Sequence, residues 1–178
     1  MPDGPLVPLF VCHANCCRSV LARYLYVHLC QEPAASAGLD AGDVINDRAE
    51  GMLRCWGIDA RAHRPLQLSR SMCTAAGAIF VMAPSYLHRL VAEYGEDLAA
   101  KSYLFADPFT KPESFGNGRY KVIDPSFDAR SVSELAAEYE WMREQVIQIR
   151  RALVGEGPKV VSASEYLDLC KNVDPYSH

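Results

Sequence analysis

The sequence predicts an α/β fold, a three-layer sandwich around a mainly parallel and roughly four-stranded sheet. Three observations predict it. Short, unbroken apolar runs at residues 6–12 (LVPLFVC) and 78–82 (AIFVM) suit strands buried on both faces of a parallel sheet. Longer stretches with apolar residues at helical spacing lie between such runs. The elements read in the order β-α-β-α-α-β-α-β-β-α, the alternation expected when helices cover a parallel sheet.

The run at 6–12 leads into residues 19–30 (SVLARYLYVHLC), where Val20, Leu21, Tyr24, Leu25, Val27 and Leu29 spread widely around a helix and predict a largely buried one. A weaker strand candidate follows at 34–37. Asn46 is a candidate cap for a helix over 47–56, and Met52, Leu53 and Trp56 share one stripe of it. After the strand at 78–82, Pro84 suits the first turn of a helix over 84–94. Residues 103–105 and 120–123 are further weak strand candidates. The longest helix is predicted from 131 or 133 to 153, with Leu135, Tyr139, Trp141, Met142, Val146, Ile147 and Ile149 on its apolar side. Gly155-Glu156-Gly157-Pro158 ends the pattern, and Ser162 to Glu165 has capping-box spacing before Tyr166, Leu167 and Leu169. The expected organisation is one domain over 1–154 and a C-terminal tail over 155–178 with room for one short helix.

The 178 residues fit one ordinary domain. Apolar residues at 49% and charged residues at 22% sit close to globular averages, which excludes a chain that stays disordered. The 18 Lys and Arg against 22 Asp and Glu leave a net charge of −4, so no global positive field holds nucleic acid or an anionic membrane. Seven cysteines, an odd number in a chain too long to need disulfide staples, point to reduced thiols. No basic patch precedes the first short apolar run and no stretch of ~18 apolar residues occurs. The expectation is a cytoplasmic protein with neither a nucleic-acid nor a membrane partner.

The informative stretch is Phe10-Val11-Cys12-His13-Ala14-Asn15-Cys16-Cys17-Arg18-Ser19, where the first strand meets the first helix. Cysteine, five residues, then Arg-Ser is a phosphate-loop arrangement. A loop this tight can wrap the N–H groups of His13, Ala14, Asn15, Cys16, Cys17 and Arg18 around an oxyanion while the helix points its positive end at it. Arg18 adds a planar fork for two phosphate oxygens. Helix N-termini and cations lower cysteine pKa values to roughly 3.5–7.5, so Cys12 is the candidate nucleophile. Ser19 is placed to donate its hydroxyl to the Cys12 sulfur. Asn15 tolerates left-handed backbone geometry and can pin the loop through its side chain.

This segment resembles the signature of low-molecular-weight protein tyrosine phosphatases, Cys-x-Gly-Asn-x-Cys-Arg-Ser. Cys12, Asn15, Cys17, Arg18 and Ser19 match it, and Ala14 stands where that family has glycine. Further matches follow in order over about residues 6–154: Ser36-Ala37-Gly38, Asp47-Arg48-Ala49 with Gly57-Ile58, and His63 with Gln67. Leu66 replaces the usual arginine, and Phe80-Val81-Met82 is followed by Ala83 in place of aspartate. The resemblance implies a phosphomonoester hydrolase without cofactor or metal, acting through a phosphocysteine on a phosphotyrosine protein or small aryl phosphoester and releasing inorganic phosphate. It assigns Asn15, Ser36 and His63, with Ser19, to support of the loop. Cys17 is the candidate redox partner of Cys12, since a reversible disulfide would shield the nucleophile from over-oxidation.

Thiolate attack on a phosphomonoester expels an alkoxide or phenoxide, so a positioned carboxylic acid should protonate it and later deprotonate water. The family uses an Asp-Pro on a late loop, and this chain has three: Asp107-Pro108, Asp124-Pro125 and Asp174-Pro175. Asp124 fits the family's order, since it precedes the final long helix by a short spacer. Asp107 lies in what reads as an inserted loop, and Asp174 lies beyond the resembling region. In the family, aromatics after Asp-Pro form a wall against the substrate ring; here the places are taken by Ser126 and Phe127, with Leu39 opposite. Asp40 and Asp43 are expected to repel an anionic flank.

Three rival readings have less support in the residues. Zinc on Cys12, Cys16, Cys17 and His13 lacks a distal ligand pair, and Arg18 would repel a cation. An arsenate reductase needs two relay cysteines after the third strand, and residues 82–94 contain none. A catalytically weak phosphate- or phosphoprotein-binding module is kept open by Ala14, Ala83, Leu66 and Ser126.

Overall fold

A computed structural model describes residues 6–106, 122–160 and 162 of the chain. Four strands form one wholly parallel sheet in the order β2-β1-β3-β4: β1 Pro8–Cys12, β2 Ala35–Gly38, β3 Ala78–Val81 and β4 Ser102–Leu104. Register places Phe10 beside Ser36 on one side and Phe80 on the other, and Phe80 beside Tyr103. Strand residues alternate between two cores, as a period of two requires. Phe10 and Phe80 point to one side with Phe105 and Tyr26, their rings 5.8–5.9 Å from that of Phe10. Leu9, Val11, Ile79 and Val81 point to the other.

Helices cover both faces. On the Phe10 side lie α1 (Arg18–Cys30), α2 (Asp47–Cys55), α5 (Val132–Glu138) and α6 (Trp141–Leu153), through Val20, Leu25, Met52, Leu135 and Val146. The other side takes α3 (Arg70–Ala75) and α4 (Pro84–Tyr94), through Cys73, Leu87 and Leu90. This is the three-layer sandwich expected. Because β1 is followed by a helix on one face and β3 by a helix on the other, the chain diverges at the carboxyl ends of these neighbours. Such a divergence is where open parallel sheets place ligand sites.

Two expectations are corrected. The single helix over 131 or 133 to 153 is two, interrupted at Tyr139 and Glu140. Leu135, Tyr139, Met142, Val146 and Ile149 keep helical spacing through the break, so periodicity does not reveal it. The cause is tertiary: α5 packs on α2, with Val132 against Gly51, whereas α6 packs on α1. The strand at 120–123 is absent from its described part. Val122 donates its N–H to Met82 O just past the end of β3, and its carbonyl is taken by Arg18. The second helix that the element order places between the second and third strands, with no residues assigned to it, is α3; six residues capped by the Ser69 hydroxyl are too short for a periodic signal. The capping box at Glu165 and the tail helix lie outside the described residues.

Candidate active site

The loop between β1 and α1 turns its carbonyls outward. Cys12 O accepts from Leu39 N (3.1 Å), His13 O from Asp40 N, Ala14 O from Gly42 N and Cys16 O from Asn46 N (2.9 Å each), and Cys17 O from Leu21 N. Asn15 O accepts from His63 Nε2 at 3.0 Å, which fixes the imidazole proton on that nitrogen. With six consecutive carbonyls engaged on the outside, the amides face the opposite way, and none from 13 to 17 donates to a backbone carbonyl among the described residues. A ring of inward N–H groups at a helix start is an anion cradle. The strand beside it must come close: a Cβ at Gly38 would stand 2.6 Å from His13 O and 2.8 Å from Asn15 N. Ala14 is tolerated in the family's glycine place because its φ is not positive; in the loop only Asn15, at φ 54°, is left-handed.

A chain of hydrogen bonds runs from outside the loop to its sulfur. Leu66 N–H donates to Asn15 Oδ1 (3.0 Å), which orients the amide so that Nδ2 donates to Ser19 Oγ (3.0 Å). With its oxygen so occupied, the Ser19 hydroxyl has its proton for Cys12 Sγ, 3.0 Å away. Leu66 acts here through its backbone, and its side chain is exposed, so the loop makes no demand on the side chain at that position. Gln67 braces the 38–43 segment by donating to Leu39 O and accepting from Ala41 N. Burial holds the His63 imidazole below its ordinary pKa, with its bond to Asn15 opposing. Ser36 does not hold the loop: it is buried, but among the described residues its hydroxyl has no hydrogen-bond partner. At mid-strand in β2 its side chain is committed to one face of the sheet, while the loop sits beyond the strand's end.

Arg18, the first residue of α1, is 6% exposed. Its Nη1 donates to Val122 O, and its Nη2 lies 2.8 Å from both Asp124 Oδ2 and the Tyr86 hydroxyl. Burial opposes the guanidinium charge, but Asp124 and Tyr86 more than offset it. Its Nε is buried with no partner among the described residues, a donor that an oxyanion in the cradle would satisfy. Asp124 is held at both oxygens, since Oδ1 accepts from Ser126 N at the start of the short 3-10 turn Pro125–Phe127. The structure therefore brings Asp124 to Arg18. Asp107 and Asp174 lie outside the described residues.

The mouth differs from expectation. Leu39 is 1% exposed and belongs to the core under α3 and α4, so it supplies no wall. The chain leaves β2 with Leu39 N–H still bound to Cys12 O, which keeps that side chain in the inner layer. Ser126 is half-buried, and its backbone N–H is held by Asp124 Oδ1. Phe127 is 87% exposed beside Asp124. Asp40 is bound by Arg89, with His13 Nδ1 at 3.5 Å, so one of the two carboxylates expected to repel an anion is already paired. Burial, then Asp124, pushes the Cys17 thiol up; burial, then Cys12, does so for Cys16, whose Sγ donates to Ala14 O. Among the described residues, no cluster of three or more His, Cys, Asp or Glu has metal-binding geometry, and no helix is long and apolar enough to cross a membrane. Tyr86 and the backbone groups of Leu66 and Val122 carry no sequence signal for their roles. Gly38 had one, the Ser36-Ala37-Gly38 match at the end of the second strand.

A family model for the low molecular weight phosphotyrosine protein phosphatase matches residues 8–157. Among solved structures the chain is similar to YwlE arginine phosphatase from Geobacillus stearothermophilus, with a TM-score of 0.70 and 24% identity over 85% of this chain and 95% of that one. Vibrio vulnificus Wzb in complex with benzylphosphonate gives 0.67 and 22% over 83% and 99%. A further protein tyrosine phosphatase gives 0.67 and 26% over 84% and 97%. No curated protein sequence gives a significant match.

Proposed function

The chain belongs to the low molecular weight phosphotyrosine protein phosphatase family, and we propose that it hydrolyses phosphomonoesters, phosphotyrosine in proteins foremost, through a phosphocysteine on Cys12. The observation that carries this reading is the cradle itself: outward carbonyls, inward amides, and a buried Arg18 with a spare donor around one cysteine sulfur. Cys12 Sγ attacks phosphorus in line, forming the S–P bond as the P–O bond to the leaving group breaks. The amides and Arg18 bear the charge on the nonbridging oxygens. Asp124 gives its proton to the departing oxygen. It then takes one from the water that attacks the phosphocysteine, while the Ser19 hydroxyl supports the sulfur as it leaves.

Phosphate release tests the reading. The panel holds phosphotyrosine, phosphoserine and phosphoarginine peptides and small phosphoesters, with Cys12→Ser as control; phosphoarginine is included because one similar structure is an arginine phosphatase. Release from phosphotyrosine peptides by the wild-type protein alone is the expected result. Binding of these peptides without release would overturn it in favour of a binding module.

A further inference from the structure

The first turn of α4 places a tyrosine against the reactive arginine. The Tyr86 hydroxyl is 2.8 Å from Arg18 Nη2, and the Arg18 Cζ lies over the same ring, 5.4 Å from its centroid. A guanidinium only donates, so the phenolic oxygen accepts and its own proton is left for another acceptor. The phenol is thereby at the cradle, on the same Arg18 nitrogen that meets Asp124. Burial raises its pKa, so at neutral pH it stays a neutral donor. The turn is firmly set: Pro84 begins the helix, Tyr86 N–H binds Ala83 O, and the neighbouring Leu87 is fully buried. The exposed His13 ring stacks on Tyr86 at 6.4 Å.

Asp124 shares Nη2 with Tyr86, yet the two are not equivalent through a reaction. A carboxyl that hands its proton to a leaving oxygen has to turn toward that oxygen, and its hold on Arg18 lapses. Tyr86 has no such duty and reaches Arg18 from the opposite side of the divergence between β1 and β3. Resting on the phosphatase reading above, we propose that Tyr86 is a positioning residue: it keeps the Arg18 fork aligned on the phosphoryl group while Asp124 serves the leaving group, and it offers its phenolic proton to the bound anion.

Tyr86→Phe removes the hydroxyl and keeps the ring. With p-nitrophenyl phosphate, kcat/KM should fall about 10- to 100-fold, and the inhibition constant of orthovanadate should rise by a similar factor. The melting temperature should stay within ~2 °C, since ring packing is kept. A merely structural role would move the melting temperature and leave the vanadate constant of the folded protein alone. Values of kcat/KM and of the vanadate constant within twofold of wild type overturn the proposal. If the wild-type protein hydrolyses nothing, the phosphatase reading fails and the proposal is judged on vanadate binding by thermal shift. A rise in wild type that Tyr86→Phe lacks supports it; an equal rise in both, or none in wild type, overturns it.

Discussion

Replacing Gly38 with alanine should cost activity out of proportion to the single methyl added. The new Cβ would meet His13 O at 2.6 Å, Ala14 C at 2.7 Å and Asn15 N at 2.8 Å, all backbone atoms of the cradle. Ordinary contact begins at 3.4 Å, so loop and strand must separate by about 0.6–0.8 Å. Neither side yields easily. Gly38 N–H binds Leu66 O (2.9 Å), Gly38 O accepts from Leu68 N (2.7 Å), and the next residue binds Cys12 O. Overpacking of this kind costs about 1–3 kcal/mol, or roughly 2–12 °C in melting temperature for a domain of this size. A displacement near 1 Å of positioned groups costs on the order of 10²-fold in rate. The assay is kcat/KM for p-nitrophenyl phosphate well below the melting midpoint, with Gly57→Ala as comparison. Gly57 has φ 75° and nothing near its absent Cβ, so its replacement should lower stability and leave the turnover of folded protein intact. Gly38→Ala protein with turnover within twofold of wild type would refute the close approach of strand and loop as a requirement of the site.

Other substitutions probe the remaining parts. Cys12→Ser should abolish release from aryl phosphates while vanadate still raises the melting temperature. Asp124→Asn should lower kcat by about 10²- to 10⁴-fold, whereas loss on Asp107→Asn with Asp124→Asn unaffected would move the acid to the other Asp-Pro. Burial depresses the folded pKa of His63, so its contribution to stability is complete above the unfolded value of about 6.5 and is lost as pH falls through the folded one. Urea midpoints should drop from pH 7.5 to 5.5 in wild type and drop less in His63→Gln; parallel slopes would contradict this. Ala83 is the N-cap of α4 and makes no capping bond, so Ala83→Ser should raise stability by about 1 kcal/mol, read as ~2–4 °C in melting temperature.

The cradle was legible because its parts are local. Cys12, Asn15, Arg18 and Ser19 fall within eight consecutive residues, and a strand running into a helix across so short a loop has few ways to turn its amides. The parallel sheet was legible for a similar reason, as apolar runs without alternation need cover on both faces. Sequence order also brought Asp124 forward among three Asp-Pro pairs, through its place before the last helices.

What only the tertiary structure decided are the partners that arrive from other connections. Tyr86 reaches Arg18 across 68 positions and Val122 across 104, and Leu66 serves Asn15 with a backbone N–H that any residue but proline possesses. Leu39 falls into the core and Ser36 away from the loop because strand register commits each side chain to a face. The last helix divides because its halves pack on different helices, which no periodicity encodes. Short-range geometry follows from local spacing and steric limits, whereas the meeting of distant groups depends on how the four strands are ordered and which face each following segment covers.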